Sequence, residues 1–198
     1  MKKHAILWTL LFLALFSLTA CSSNKGKDSY TTINQNTIQV KEFEVSTELL
    51  NSNTVAKGNV YVQNSHDKVR ITIVASIIIG ENDWGGVSFY IPVGWNISSA
   101  LSSFPDGSGN KASDNAAIWN TSDSESEWKS FVEIGRNHSQ TPTGGGKGTV
   151  FLELTHDENT AISDGLSLLV SVGSEVKEGV PVVGTESTSI EIDFNSIN

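Results

Sequence analysis

From Thr37 onward the apolar residues of this chain recur at every second position, and that period points to strands rather than helices. Val69, Ile71, Ile73, Ala75, Ile77 and Ile79 share one face of one run, and Val74 and Ile78 add apolar residues on the other. That run is expected to be a central strand covered on both sides. Val87-Phe89-Ile91 alternates with Ser88 and Tyr90, the pattern of a half-buried strand. Trp128-Val132-Ile134, Val150-Leu152-Leu154, Leu166-Leu168-Val170-Val172 and Ile190-Ile192-Phe194 repeat the theme. Ile38 and Val40 are in phase with each other but out of phase with Phe43 and Val45, which predicts a bulge at Lys41-Glu42.

Turn residues separate these runs at Gly80 to Asp83, Thr143 to Gly146, Ser163 to Gly165 and Gly173-Ser174. No stretch holds a helical apolar stripe over three turns, and Ser98 to Phe104 has room for one short helical turn at most. Pro181 between Val180 and Val182 suits a loop or an edge strand. The expected fold is all-β: an antiparallel β-sandwich of about eight strands, immunoglobulin-like or jelly-roll in topology, over residues 37–198. Its long connection is residues 92–127, well beyond the usual length of a loop without internal structure.

Residues 1–20 have a different composition. Lys2, Lys3 and His4 precede an almost wholly apolar stretch from Ala5 to Phe16, and Leu18-Thr19-Ala20 leads into Cys21. A positive start, an apolar run of about 12 residues and small residues before a break are the marks of a secretory signal. Leu18-Thr19-Ala20-Cys21 resembles the lipobox of bacterial lipoprotein precursors. The resemblance implies a signal peptide at 1–20, cleavage before Cys21, and a diacylglyceryl group on that thiol. It implies a mature protein lipid-anchored to the cell membrane on its extracytoplasmic face, since two acyl chains hold a protein stably where one does not. Ser22 to Asn36 is polar and reads as a tether, so residues 21–36 form a lipidated N-terminus and linker.

Charge and cysteine content narrow the partners. With 13 basic and 22 acidic residues the chain is a poor match for nucleic acid. Lys2 and Lys3 are the only formal charges in residues 1–20, so the remainder carries −11. A single Cys excludes intrachain disulfides and multi-cysteine metal sites.

Catalytic patterns are thin. Gly144-Gly145-Gly146-Lys147-Gly148-Thr149 departs from a phosphate-binding loop because Gly148 separates Lys147 from Thr149, and a hairpin connection is expected instead. His66, His138 and His156 have no partner at metal-ligand spacing. Glu133 and Glu153 are expected to point outward from their strands, but a glycosidase pair requires both carboxyls across one cleft. Asp106, Asn110 and Asp114 place oxygen donors in one polar stretch, a candidate structural calcium site that lacks the EF-hand pattern; no other cofactor is expected. The segments 122–127 and 156–159 are further acidic loops.

Aromatic residues are the remaining signal. All four tryptophans outside residues 1–20 fall within 84–128. Two readings of the long connection compete: it folds back so that most of its aromatics cap the sandwich as a small satellite core, or its rings stand exposed on the sandwich edge. Trp84 and Trp95, flanked by Gly and Asn, are the pair expected to be exposed, Trp128 to pack in the core, and Trp119 to lie between these cases. Exposed indoles stack on sugars or anchor protein partners. Trp84, Trp95 and Trp119 are therefore the candidate ligand-binding residues of a non-catalytic module for a glycan or protein. The succession of strands and Gly/Ser/Asn-rich loops over residues 37–197 is similar in texture to cohesin-type and carbohydrate-binding surface modules. An accessory lipoprotein of an envelope complex is the alternative, and a cell-envelope hydrolase the third reading.

Overall fold

A computed structural model describes residues 37–47, 53–65, 68–105, 116–158, 160 and 164–195. They form ten strands: β1 Thr37–Ser46, β2 Val55–Ser65, β3 Lys68–Ile79, β4 Val87–Pro92, β5 Trp95–Ser102, β6 Ala116–Asn120, β7 Trp128–Ile134, β8 Gly146–His156, β9 Gly165–Lys177 and β10 Val180–Asp193. Two five-stranded sheets result. Sheet 1 runs β1-β2-β3-β8-β5 and sheet 2 runs β10-β9-β4-β7-β6, with every neighbouring pair antiparallel. This is an all-β, antiparallel sandwich. Cys21, with the lipobox and tether, lies outside the described residues, as do Asp106, Asn110, Asp114 and His66.

The period of two sorts each strand into a core face and an outer face. Ile71, Ile73, Ala75, Ile77 and Ile79 of β3 meet Val150, Leu152 and Leu154 of β8 within sheet 1. Val87, Phe89 and Ile91 of β4 with Val170 and Val172 of β9 close the core from sheet 2. Burying each such aliphatic side chain contributes roughly 1.5–3 kcal/mol relative to leaving it in water.

Several expectations are corrected. Among the described residues no second layer covers the outer face of β3: Ile78 is half exposed, and Val74 is only partly covered. Lys41 and Glu42 pair regularly with Val60 and Asn59, and the register shift lies at Thr37/Gln39. The phase break arises because Val40 points outward on an edge strand, half exposed, while Phe43 and Val45 point inward. Ser98 to Ser102 belongs to β5, so there is no helical turn. Gly173-Ser174 lies inside β9 opposite a register shift between Val183 and Glu186. The strand is kinked there by Gly173 at φ 85°, and the hairpin turns later, at Glu178-Gly179. Pro181 does lie on an edge strand, β10.

The glycine run is also explained. β7 and β8 belong to different sheets, so Gly144 and Gly145 turn a crossover and not a hairpin. A Cβ on Gly148 would lie 2.8 Å from the Phe104 backbone, and Phe104 is buried across this strand. A Cβ on Gly146 would lie 3.0 Å from the Phe104 ring, so these two glycines make room for Phe104.

Candidate ligand-binding face

Strand register places one residue from each of four strands in a row across the outer face of sheet 2. Leu169 of β9 pairs with Tyr90 of β4, Tyr90 with Phe131 of β7, and Phe131 with Trp119 of β6. Tyr90 meets Phe131 edge-on at 5.2 Å between ring centroids and meets Trp128 at 5.7 Å. Edge-to-face contacts of this kind contribute about 0.5–1.5 kcal/mol beyond the area they bury. Tyr90, Phe131 and Trp128 are partly covered by one another, whereas Trp119, at the sheet edge, is 49% exposed.

Beside this row run three polar residues, Ser171, Ser88 and Glu133, followed by Ala117 at the sheet edge. Ser88, Ser171 and Glu133 are buried although they point away from the core. Glu133 is covered by its own partners. Arg136 Nη1 donates to Oε1, and His138 Nε2 faces Oε2 at 3.3 Å. His138 also stands edge-on to the Trp119 indole, with centroids 5.4 Å apart. One imidazole therefore links the carboxylate to the exposed ring and limits where that ring can turn.

The sequence-derived candidates separate here. Trp119 is on this face. Trp84 is 9% exposed and Trp95 is 3% exposed, so neither forms the open surface expected of it. The backbone N–H of Trp84 is held by Ser174 Oγ at 3.1 Å, which ties its loop down onto β9. Trp95 stacks on Phe194 at 5.9 Å with a 22° interplanar angle and meets His156 edge-on. Trp128, expected in the core, lies on the outer face against Tyr90.

Glu133 and Glu153 do point outward, but from different sheets, so they occupy opposite outer faces of the sandwich. Glu153 is paired with Arg70 at 3.4 Å. These two carboxylates share no cleft in which to flank a glycosidic bond. In the acidic loops, Asp123 Oδ1 accepts from the Glu125 N–H and Asp157 pairs with Lys129, ordinary turn and surface roles. Among the described residues no group of three His, Cys, Asp or Glu side chains is placed to hold a metal ion.

Tyr90, Phe131, Arg136 and His138 were not among the expected site residues. Period two does put Tyr90 and Phe131 opposite the apolar face of their strands, so two outward aromatics were legible. Their adjacency required the strand order. No protein-family model matches the chain, and no curated protein matches it.

Proposed function

We propose that this chain is an extracytoplasmic lipoprotein, held at the membrane through diacylglyceryl Cys21, whose sandwich binds a glycan on the outer face of sheet 2. The observation that carries the binding role is Trp119: a half-exposed indole, braced by His138, at the end of an aromatic row. An indole in that setting offers a flat apolar face to a sugar ring, and Arg136 and His138, both held by the buried Glu133 carboxylate, supply polar contacts beside it that set orientation. The residues Leu18-Thr19-Ala20-Cys21, after a basic start and an apolar run, support the anchor. The immunoglobulin-like form of the sandwich is supported by strand order: β2-β3-β8-β5 and β4-β9-β10 repeat the A-B-E-D and C-F-G orders of that fold, with β6 and β7 inserted as a hairpin beside β4.

Titration with soluble cell-wall and plant glycans, followed by tryptophan fluorescence, tests the binding role. A saturable shift that Trp119→Ala removes is expected. A shift that survives Trp119→Ala, or no response across the panel, overturns the assignment. Separately, Cys21→Ala is expected to abolish lipid labelling and release the protein into the medium, and a variant that stays membrane-bound overturns the anchor.

A further inference from the structure

The strands of sheet 2 are poor in cations. Their basic residues are Lys129 of β7 and Lys177 of β9, against Glu133, Glu175, Glu186, Glu191 and Asp193. Lys129 is turned toward sheet 1, where its Nζ donates to Asn96 Oδ1 at 2.7 Å and meets Asp157 at 3.3 Å. Lys177 stands at the β9–β10 hairpin tip, past Val172, where the pairing of β9 with β4 ends. The basic groups beside Trp119 come instead from the segment after β7, as Arg136 and His138.

One carboxylate already meets both of them. Glu133 is buried, and its two oxygens are divided between Arg136 Nη1 on Oε1 and His138 Nε2 on Oε2. The Glu133–Ala117 pair lies next along the strands to the Phe131–Trp119 pair, so this negative charge sits beside the exposed indole. What the cluster offers a ligand is hydrogen bonding with its charge already balanced. A guanidinium has five N–H donors, and those not given to Glu133 remain for ligand oxygens. With a proton on Nε2 toward the carboxylate, Nδ1 of His138 is an acceptor. A hydroxyl group both donates and accepts, so a polyhydroxy ligand can use both side chains. An ionised carboxylate or sulfate only accepts, and here it meets a guanidinium that Glu133 has neutralised.

We propose that the glycan taken at Trp119 is an uncharged one, and that Glu133 is the residue that excludes acidic sugars. This inference rests on the glycan reading above and names the class of ligand within it. Glu133 acts through Arg136 and His138 and touches no sugar itself. The rest of the molecule works in the same direction. With 22 acidic and 13 basic residues, the chain repels an approaching polyanion, whereas a neutral ring reaches the indole without that cost. Specificity is a difference of two affinities, and here the negative charge lowers the competing one.

The test titrates the chain with two sets of soluble probes, followed by tryptophan fluorescence. One set is neutral, galactomannan and xyloglucan oligosaccharides, and the other is acidic, oligogalacturonate and alginate oligosaccharides. The neutral set is expected to bind at least about tenfold more tightly at low ionic strength, with an affinity that added NaCl changes by less than about twofold. Glu133→Gln leaves Arg136 a carbonyl acceptor but uncovers its charge, so acidic probes are expected to gain at least about fivefold. Acidic probes that bind the parent as tightly as neutral ones, or more tightly, overturn the inference and leave the glycan reading standing. So does a Glu133→Gln protein that folds by circular dichroism and gains nothing for them. If Glu133→Gln fails to fold, salt decides on the parent. Acidic binding that NaCl weakens reveals an open cation and overturns the inference, and acidic binding that stays undetectable or rises with NaCl supports it. Silence from both sets overturns the glycan reading, and the inference falls with it.

Discussion

Ser174 donates its hydroxyl to the Asp83 carboxylate across 91 residues of sequence. Asp83 is fully buried and also accepts from Thr54 Oγ1 and from the Gly85 N–H at 2.8 Å. Ser174 Oγ in turn accepts from the backbone N–H groups of Trp84 and Gly85 at 3.1 and 3.0 Å. Thr54 Oγ1 accepts from Gly80 at 3.1 Å, and Thr54 N donates to Thr47 Oγ1. One carboxylate thus ties the β1–β2 connection, the β3–β4 crossover and the kink of β9 into a single knot. A buried charge of this kind is tolerated because donors surround it.

Asp83→Ala strands the buried Thr54 and Ser174 hydroxyls without their acceptor and leaves the Gly85 amide with Ser174 Oγ alone. It is expected to lower stability by about 3 kcal/mol in urea unfolding. Asp83→Asn keeps one carbonyl acceptor, and the Thr54 hydroxyl can turn to accept from the new amide, so a loss of about 1 kcal/mol is expected. Equal losses in the two variants would show that the charge, and not the acceptor geometry, holds the knot.

The tryptophans should divide by substitution as they do by burial. Trp95→Ala empties a core position against Phe194 and is expected to cost about 3–5 kcal/mol. Trp119→Ala removes a half-exposed edge ring and is expected to change stability by less than about 1 kcal/mol. Thermal unfolding of the two variants side by side checks this. A Trp119→Ala loss as large as that of Trp95→Ala would make Trp119 a packing residue and weaken its reading as a binding surface.

This division marks where the sequence stops being readable. The apolar strands were legible because a backbone period of two is imposed locally, whatever the rest of the chain does. β2 was obscured by Lys57-Gly58-Asn59, and Gly58 is there because a Cβ would lie 2.2 Å from the Val74 carbonyl oxygen of the neighbouring strand. β5 and β6 were obscured by Ser, Ala and Asn, which carry little strand preference by themselves. Trp84 and Trp95 look exposed beside Gly and Asn, but Ser174 and Phe194, far along the chain, bury them. Trp119 kept its expected intermediate place because, on the edge strand of sheet 2, it has a strand on one side only among the described residues and meets the His138 ring edge-on.

Glu133 and Arg136 make a further pair whose two halves are not equivalent. Glu133 is buried on the outer face of sheet 2, and Arg136 is the partner that donates to it directly. Arg136→Ala leaves that carboxylate with His138 alone and is expected to destabilise the fold by about 2 kcal/mol. Adding Glu133→Gln is expected to recover much of that loss, because the charge that lacked a donor is gone. A double-mutant cycle by chemical denaturation measures the coupling, and additive losses would show that the pair contributes no net attraction.

Glu191 should report the outer face of β10 through pH. Its Oε1 accepts from Ser189 Oγ at 2.7 Å and from Ser167 Oγ at 2.9 Å, and these donors, Ser189 first, hold its carboxyl below the usual carboxylate range. The depressed value stabilises the folded state above the unfolded carboxyl's pKa of roughly 4.3, and that contribution fades as pH falls through the lower folded value. Because the group faces solvent, the effect on global stability should stay below about 1 kcal/mol. A carboxyl-detected NMR titration is the sharper readout. Ser189→Ala is expected to move the Glu191 midpoint upward, Ser167→Ala to move it by less, and the double variant to return it close to an ordinary glutamate. An unmoved midpoint in the double variant would mean that neither hydroxyl donates to this carboxylate in solution.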